Sequence, residues 1–227
     1  GSTDGELSGS ITVSAAASLT GTFEELAEQF EAEHDGVEVD LVFDSSGTLA
    51  DQAAEGAPGD VLATADLRSM ERAADAQAEE PVVFATNDLV LVAPADNPAG
   101  VTGIDSLDDP EVTYVICVET APCGGLSAEA LADAGVEREP ASLEPDVKAT
   151  LSRVVEDEAD AGLVYRTDAL AAGDDVQSFD LPERLTTAYP ITLLDQSQDT
   201  AVAQAFIDFV LSSAGADVFT AAGFGTP

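Results

Sequence analysis

What most constrains the fold of this chain is an alternation of short, apolar, β-branched runs with stretches of helical periodicity. The runs fall at Ile11–Ala15, Val37–Phe43, Val61–Ala65, Leu89–Ala93, Val112–Val118, Gly162–Tyr165 and Ala188–Leu194. Segments of this length and composition read as strands. Between them, apolar residues recur three and four apart. Leu19, Phe23, Leu26 and Phe30 share one helix face, and Val147, Leu151 and Val154 share another. Strands alternating with helices predict an α/β fold with largely parallel sheets. The C-terminal AVAQAFIDFVLSSAGADVFTAAGFG predicts two amphipathic helices split near Ser213–Gly215.

Two extended segments are widely separated: DLVLVAP, just after Asn87, and TAYPITLL at Thr187–Leu194. Such segments are expected where a chain crosses from one lobe to another and later returns. The expected division is a disordered N-terminal tether over 1–9, a first lobe over 10–86 plus 191–227, and a second over 87–190. The crossovers are placed near 87–94 and 187–194.

Charge narrows the partners. The chain carries 45 Asp+Glu against 7 Lys+Arg, a formal net charge of -38. With 45% hydrophobic residues among them, the acids read as a solvated surface of a folded protein rather than as a disordered tract. The cations are single and scattered: Arg68, Arg72, Arg138, Lys148, Arg153, Arg166 and Arg184. No basic stripe exists to displace counterions, which argues against nucleic acid or an anionic membrane surface as partner. A small anion would have to be held by local dipoles against the field of the whole molecule. No window reaches the roughly 20 apolar residues of a membrane span. The polar TDGELSGS near the start reads as a tether left by a removed targeting segment.

Cys117 and Cys123 lie six apart in ICVETAPCGG. They read as a disulfide in an exported protein, or else as two small core residues. A metal site is disfavoured, because His34 is the sole histidine and no second cysteine pair exists.

Four strand-to-helix junctions are chemically alike, each placing small or hydroxyl-bearing residues at the start of a helix. The first is AAASLT, with Ser18, and the second is FDSSGTLA, with Ser45, Ser46 and Gly47 before a helix over Thr48–Ala54. The third is APCGGLSAEAL, with Cys123 and Gly124 before Leu126–Ala134, and the fourth is LEPDVKATL, with Asp146 as N-cap and Val147 and Lys148 in the first turn. Ser and Gly at helix starts are ordinary caps and turns. They also leave outward N–H groups and about half a unit of positive charge at the end of each helix. In open α/β sheets such ends gather outside the carboxyl edge of the strands, so the set is suited to a small dianion. Tyr165 ends a short strand in AGLVYRTDA, either as a cleft donor or as an interface tyrosine. Catalytic alternatives lack parts: His34 is remote in sequence from every Ser or Cys candidate, and no GxSxG, Walker, GxGxxG or HExxH motif occurs.

The blocks AAASL, SSGTLA with GAP-D, DLVLVAP, DVKATL, A-GLVY-TDA, the YPI of the return strand and the terminal GFG occur in this order along nearly the whole chain. Together they resemble the periplasmic molybdate-binding proteins that serve ABC importers. The resemblance implies a type II periplasmic-binding-protein fold, with two lobes, each a mostly parallel sheet flanked by helices, and a ligand cleft between them. It implies an exported, lipid-anchored, monomeric receptor that is not an enzyme. Such a receptor uses no cofactor, takes molybdate or tungstate as ligand, coordinates no metal through side chains, and hands the oxyanion to a membrane permease. Matched residue by residue, the implied donors are Ser18 and Ser46 through hydroxyl and backbone N–H, Cys123 and Val147 through backbone N–H, and Tyr165 through its hydroxyl. Cys123 departs from the alanine of that family position. A Cys117–Cys123 bridge would pin the loop that presents its N–H, and a one-residue shift of the match would move the donor to Gly124. The alternatives are a receptor for sulfate or another tetrahedral oxyanion and, more remotely, a small acyl- or phosphoryl-transfer enzyme using the helix starts as an oxyanion hole.

Overall fold

The computed structural model describes residues 6–227. In chain order its elements are β1 (Ser8–Ala16), α1 (Thr20–Glu33), β2 (Gly36–Asp44), α2 (Ser46–Ala54), β3 (Val61–Ala63), α3 (Leu67–Arg72), β4 (Val82–Pro94), β5 (Tyr114–Cys117), α4 (Pro122–Ala134), β6 (Ser142–Glu144), α5 (Val147–Val155), β7 (Ala161–Tyr165), α6 (Arg166–Ala172), β8 (Val176–Asp180), β9 (Thr186–Leu193), α7 (Thr200–Val210) and α8 (Ser213–Ala221). The chain forms two compact units. One runs to Ala85 and takes in Ala188–Ala221 and Gly225–Pro227; the other holds Thr86–Thr187 and Ala222–Phe224. The chain leaves the first unit within β4 and re-enters it within β9.

In the first unit the sheet order is β2-β1-β3-β9. β1 runs parallel to β2 over its whole length, from Ser8 opposite Gly36 to Ala16 opposite Asp44, and parallel to β3 on its other side. This pairing shortens the expected tether over 1–9: Ser8 and Gly9 belong to β1, held by ladder hydrogen bonds although their side chains are polar. Residues 1–5 lie outside the described residues. The predicted periodicity of α1 buries Phe23, Leu26 and Phe30. There they meet α7 and α8: Phe30 and Phe206 pack edge to face with centroids 5.4 Å apart, and Phe23 lies 6.2 Å from both Phe206 and Phe219. Each such pair adds about 0.5–1.5 kcal/mol beyond its area burial. On the other side of the sheet, Leu49, Ala50, Ala53, Leu62, Met70 and Leu194 form a smaller core under α2 and α3. Asp60 is buried and accepts from Thr12 N–H, Ser197 hydroxyl and Gln198 N–H, which fixes the approach to α7.

In the second unit the order is β8-β4-β7-β5-β6. β6, β5 and β7 are parallel, so their carboxyl ends share one edge. The expectation of largely parallel sheets needs correcting at the crossing strands and at β8. β9 is antiparallel to β3, and β4 is antiparallel to both β7 and β8. A strand that carries the chain into or out of a unit has no crossover helix to reverse it, so it pairs antiparallel. Leu89 to Ala93, Tyr114 to Cys117 and Ala161 to Tyr165 supply the central layer of this core.

Candidate functional site

The helix starts that follow parallel strands form one donor set in each unit. In the first, β1 leads through a tight 3-10 turn at Ala17–Leu19 into α1, and β2 leads directly into α2. Ser18 is not the N-cap expected at this junction: α1 begins at Thr20, and neither the turn nor the helix has a side-chain cap. Its hydroxyl instead lies 2.9 Å from the hydroxyl of Tyr189, which is fully buried on β9. The three alanines before Ser18 are buried, so no side chain stands between the strand end and what approaches it. Ser46 is the first residue of α2, two residues earlier than the expected start at Thr48, and is 1% exposed. Its oxygen accepts the Ala65 N–H at 2.9 Å, which directs the hydroxyl hydrogen elsewhere as a donor.

In the second unit, α4, α5 and α6 all start at the shared carboxyl edge of β5, β6 and β7. α4 begins at Pro122, not at Leu126, with proline in the first turn where its missing N–H costs nothing. The CGG that reads as a turn is therefore helix. Gly124 is required by close approach: a Cβ there would stand 1.8 Å from the Val118 carbonyl oxygen. Cys117 and Cys123 form a disulfide. The bridge ties the end of β5 to the second residue of α4, and Cys117 Sγ lies 3.4 Å from Thr150 Oγ1 in α5. Gly124 N–H donates to Ala121 O at 3.0 Å and is committed, whereas the N–H of Cys123, in the first turn, has no acceptor one turn back.

Asp146 caps α5 as expected, accepting from Ala149 N–H at 2.8 Å, and Val147 opens the helix. Tyr165 is 1% exposed at the end of β7. Its N–H donates to Asp168 Oδ2 at 3.1 Å, and Asp168 Oδ1 lies 3.3 Å from Lys148 Nζ. Burial pushes the Asp168 carboxyl up from its ordinary range, and the Lys148 charge beside it pulls it back. Asp168 and Tyr189 are the residues that sequence reasoning missed. The signal for Asp168 was present in Y-x-x-D across a strand-to-helix junction, a carboxylate three residues into the turn. Nothing local marks Tyr189, whose partner is 171 residues away.

The pattern of capping is selective. α3, α5 and α7 are capped by the side chains of Asp66, Asp146 and Asp199, whereas the starts at Ser18, Ser46 and Cys123 carry no side-chain cap. The arginines are engaged elsewhere. Arg72 pairs with Asp51, Arg153 with Glu144 and Glu158, Arg184 and Arg166 with Asp88, and Arg138 with the carbonyls of Leu107 and Val112. What the two sets present is neutral: hydroxyls and backbone N–H groups. Among the described residues no group of His, Cys, Asp and Glu is arranged to hold a metal ion.

Comparison with known proteins places this arrangement. The family described as bacterial extracellular solute-binding protein matches residues 11–225. The molybdate-binding protein ModA of Mycobacterium tuberculosis is 37% identical over 222 residues, covering 96% of this chain and 85% of its own length. That of Escherichia coli is 34% identical over 230 residues, covering 95% and 89%. Among solved structures, the periplasmic molybdate-binding protein of Azotobacter vinelandii superposes with a TM-score of 0.85 at 22% identity, over 96% of this chain and 99% of that one. The fold is that of a periplasmic binding protein, and the chain belongs to the bacterial extracellular solute-binding protein family, with the ModA proteins among its relatives.

Proposed function

We propose that this protein is the extracytoplasmic receptor for molybdate or tungstate of an ABC importer, a binding protein and not an enzyme. It takes the oxyanion from its surroundings and delivers it to a membrane permease. The observation that carries this reading is the pairing of uncapped helix starts with buried serines in a molecule whose arginines are all spent elsewhere. Ser18, Ser46, Cys123, Val147 and Tyr165 are the proposed donors. Cys123 is favoured over Gly124 because the Gly124 N–H already has its acceptor. The ModA relatives, at 37% and 34% identity, support the choice of ligand. Their solute-binding family supports an extracytoplasmic site of action, and lipid anchoring through a preceding segment extends that reading.

The chemistry of the donors accounts for selectivity. Molybdate and tungstate are fully ionised at neutral pH, so a shell of donors satisfies each oxygen. Hydrogen phosphate brings a proton that needs an acceptor, and a donor-only shell leaves that proton unpaired at a cost of about 1–3 kcal/mol. Sulfate is matched in charge but smaller, so its donors are reached at longer distance. Isothermal calorimetry with molybdate, tungstate, sulfate and phosphate tests the proposal. Tight binding of the two larger anions and weak binding of the others is expected; tight binding of sulfate alone, or of none of the four, refutes it.

A further inference from the structure

We infer that the Lys148–Asp168 pair is a positioning device for the oxyanion donors of the second unit, stapling the first turns of α5 and α6 so that Val147 N–H and Tyr165 are held in fixed relation. The inference rests on the ligand-binding reading above. Lys148 is the second residue of α5, directly after Val147, and Asp168 is the third residue of α6, three after Tyr165. The Asp168 carboxylate is 1% exposed and divides its oxygens between the two elements: Oδ2 takes the Tyr165 N–H at 3.1 Å, and Oδ1 faces Lys148 Nζ at 3.3 Å.

A carboxylate needs no burial to serve a helix start, since aspartates at exposed first turns are already favoured by the dipole. Drawing this one under the surface makes a cation obligatory, and the cation comes from the neighbouring helix. A second carboxylate, Asp146, stands nearby and is itself occupied by the Ala149 N–H. Lys148 is the chain's single lysine, whereas the other six cations are arginine. An arginine fork locks onto its partner in a plane, whereas an ammonium is a compact point charge that satisfies one buried oxygen from a flexible stem. Because one partner is buried, removing the other leaves an uncompensated charge, which makes this pair unlike the exposed ones on the same surface.

The test is a double-mutant cycle read by calorimetry with molybdate, together with amide hydrogen exchange of the empty protein. Lys148→Met is expected to weaken molybdate binding roughly tenfold or more, the effect of losing one charge-assisted contact. Lys148→Arg should restore affinity to within about threefold, which a general loss of packing would not allow. Because Lys148 acts through Asp168, adding Lys148→Met to Asp168→Asn should cost little more than Asp168→Asn alone. Losses that add in full would mean that Lys148 acts on the anion by its own charge, and would overturn the inference, as would wild-type affinity in Lys148→Met. The exchange measurement needs no ligand: the Tyr165 N–H should exchange roughly tenfold faster in Lys148→Met, and an unchanged rate overturns the staple. If the wild type binds no molybdate, the functional reading fails, and the exchange result still decides the role of the pair.

Discussion

Reducing the Cys117–Cys123 bridge should lower both the stability of the protein and its response to ligand. The bridged residues are six apart in sequence, and closing a loop of that size removes chain entropy from the unfolded state worth about 2.2 kcal/mol. For a chain of this length each kcal/mol moves the melting temperature by about 2–4 °C, so the empty protein should melt roughly 4–9 °C lower after reduction. A second effect is specific to the site. The bridge anchors Cys123 to the end of β5, and Gly124 is packed hard against the Val118 carbonyl of the same loop. Without the bridge this loop is free to move away from β5 and take the Cys123 N–H with it. The increment in melting temperature produced by saturating molybdate should therefore shrink as well. The assay is differential scanning calorimetry with and without reductant and with and without molybdate, with thiol titration verifying that both cysteines have been reduced. An unchanged melting temperature in fully reduced protein would refute the stability argument. A full-sized molybdate increment in the same sample would refute the link between the bridge and the donor.

Tyr189→Phe keeps the buried ring, packed 6.2 Å from that of Phe84, and removes only the hydroxyl that orients Ser18. Molybdate affinity by calorimetry should fall by about three- to tenfold, while the empty protein melts within about 3 °C of wild type. Gly124→Ala would force a methyl group to 1.8 Å from Val118 O and 2.8 Å from Cys117 O, both backbone atoms that cannot yield cheaply. Thermal denaturation should show a loss of about 1–3 kcal/mol, as for an overpacked core, and weaker molybdate binding with it.

The sequence makes the fold class legible because its strongest signals are local. Apolar runs mark the strands buried on both faces, and the spacing of Phe23, Leu26 and Phe30 marks α1. β6 and β8 escape it. Ser142–Glu144 is only three residues long, and Val176–Asp180 lies along one side of β4 with polar residues facing solvent, so neither has an apolar run to show. The start of α4 escapes for a different reason. Gly124 sits in helix because a neighbouring carbonyl leaves room for nothing larger, a tertiary cause that imitates a turn signal. At the candidate site, the residue types and their junctions are visible in sequence, and their partners are not. Tyr189 beside Ser18, Ala65 on Ser46 and Lys148 on Asp168 are made by the fold. The carboxylates follow the same division. Asp146 is recognisable as a cap from its place before an apolar helix, while Asp60 and Asp88, equally buried, stand in sequence contexts like those of exposed acids.

The most direct measurement of the central claim is a crystal structure of the tungstate complex with anomalous data at the tungsten absorption edge. A single strong tungsten peak is predicted, its oxygens within hydrogen-bond reach, about 2.7–3.2 Å, of the Ser18 and Ser46 hydroxyls, the N–H groups of Cys123 and Val147, and the Tyr165 hydroxyl. A peak held by arginine side chains, or one that touches neither serine, would contradict the account.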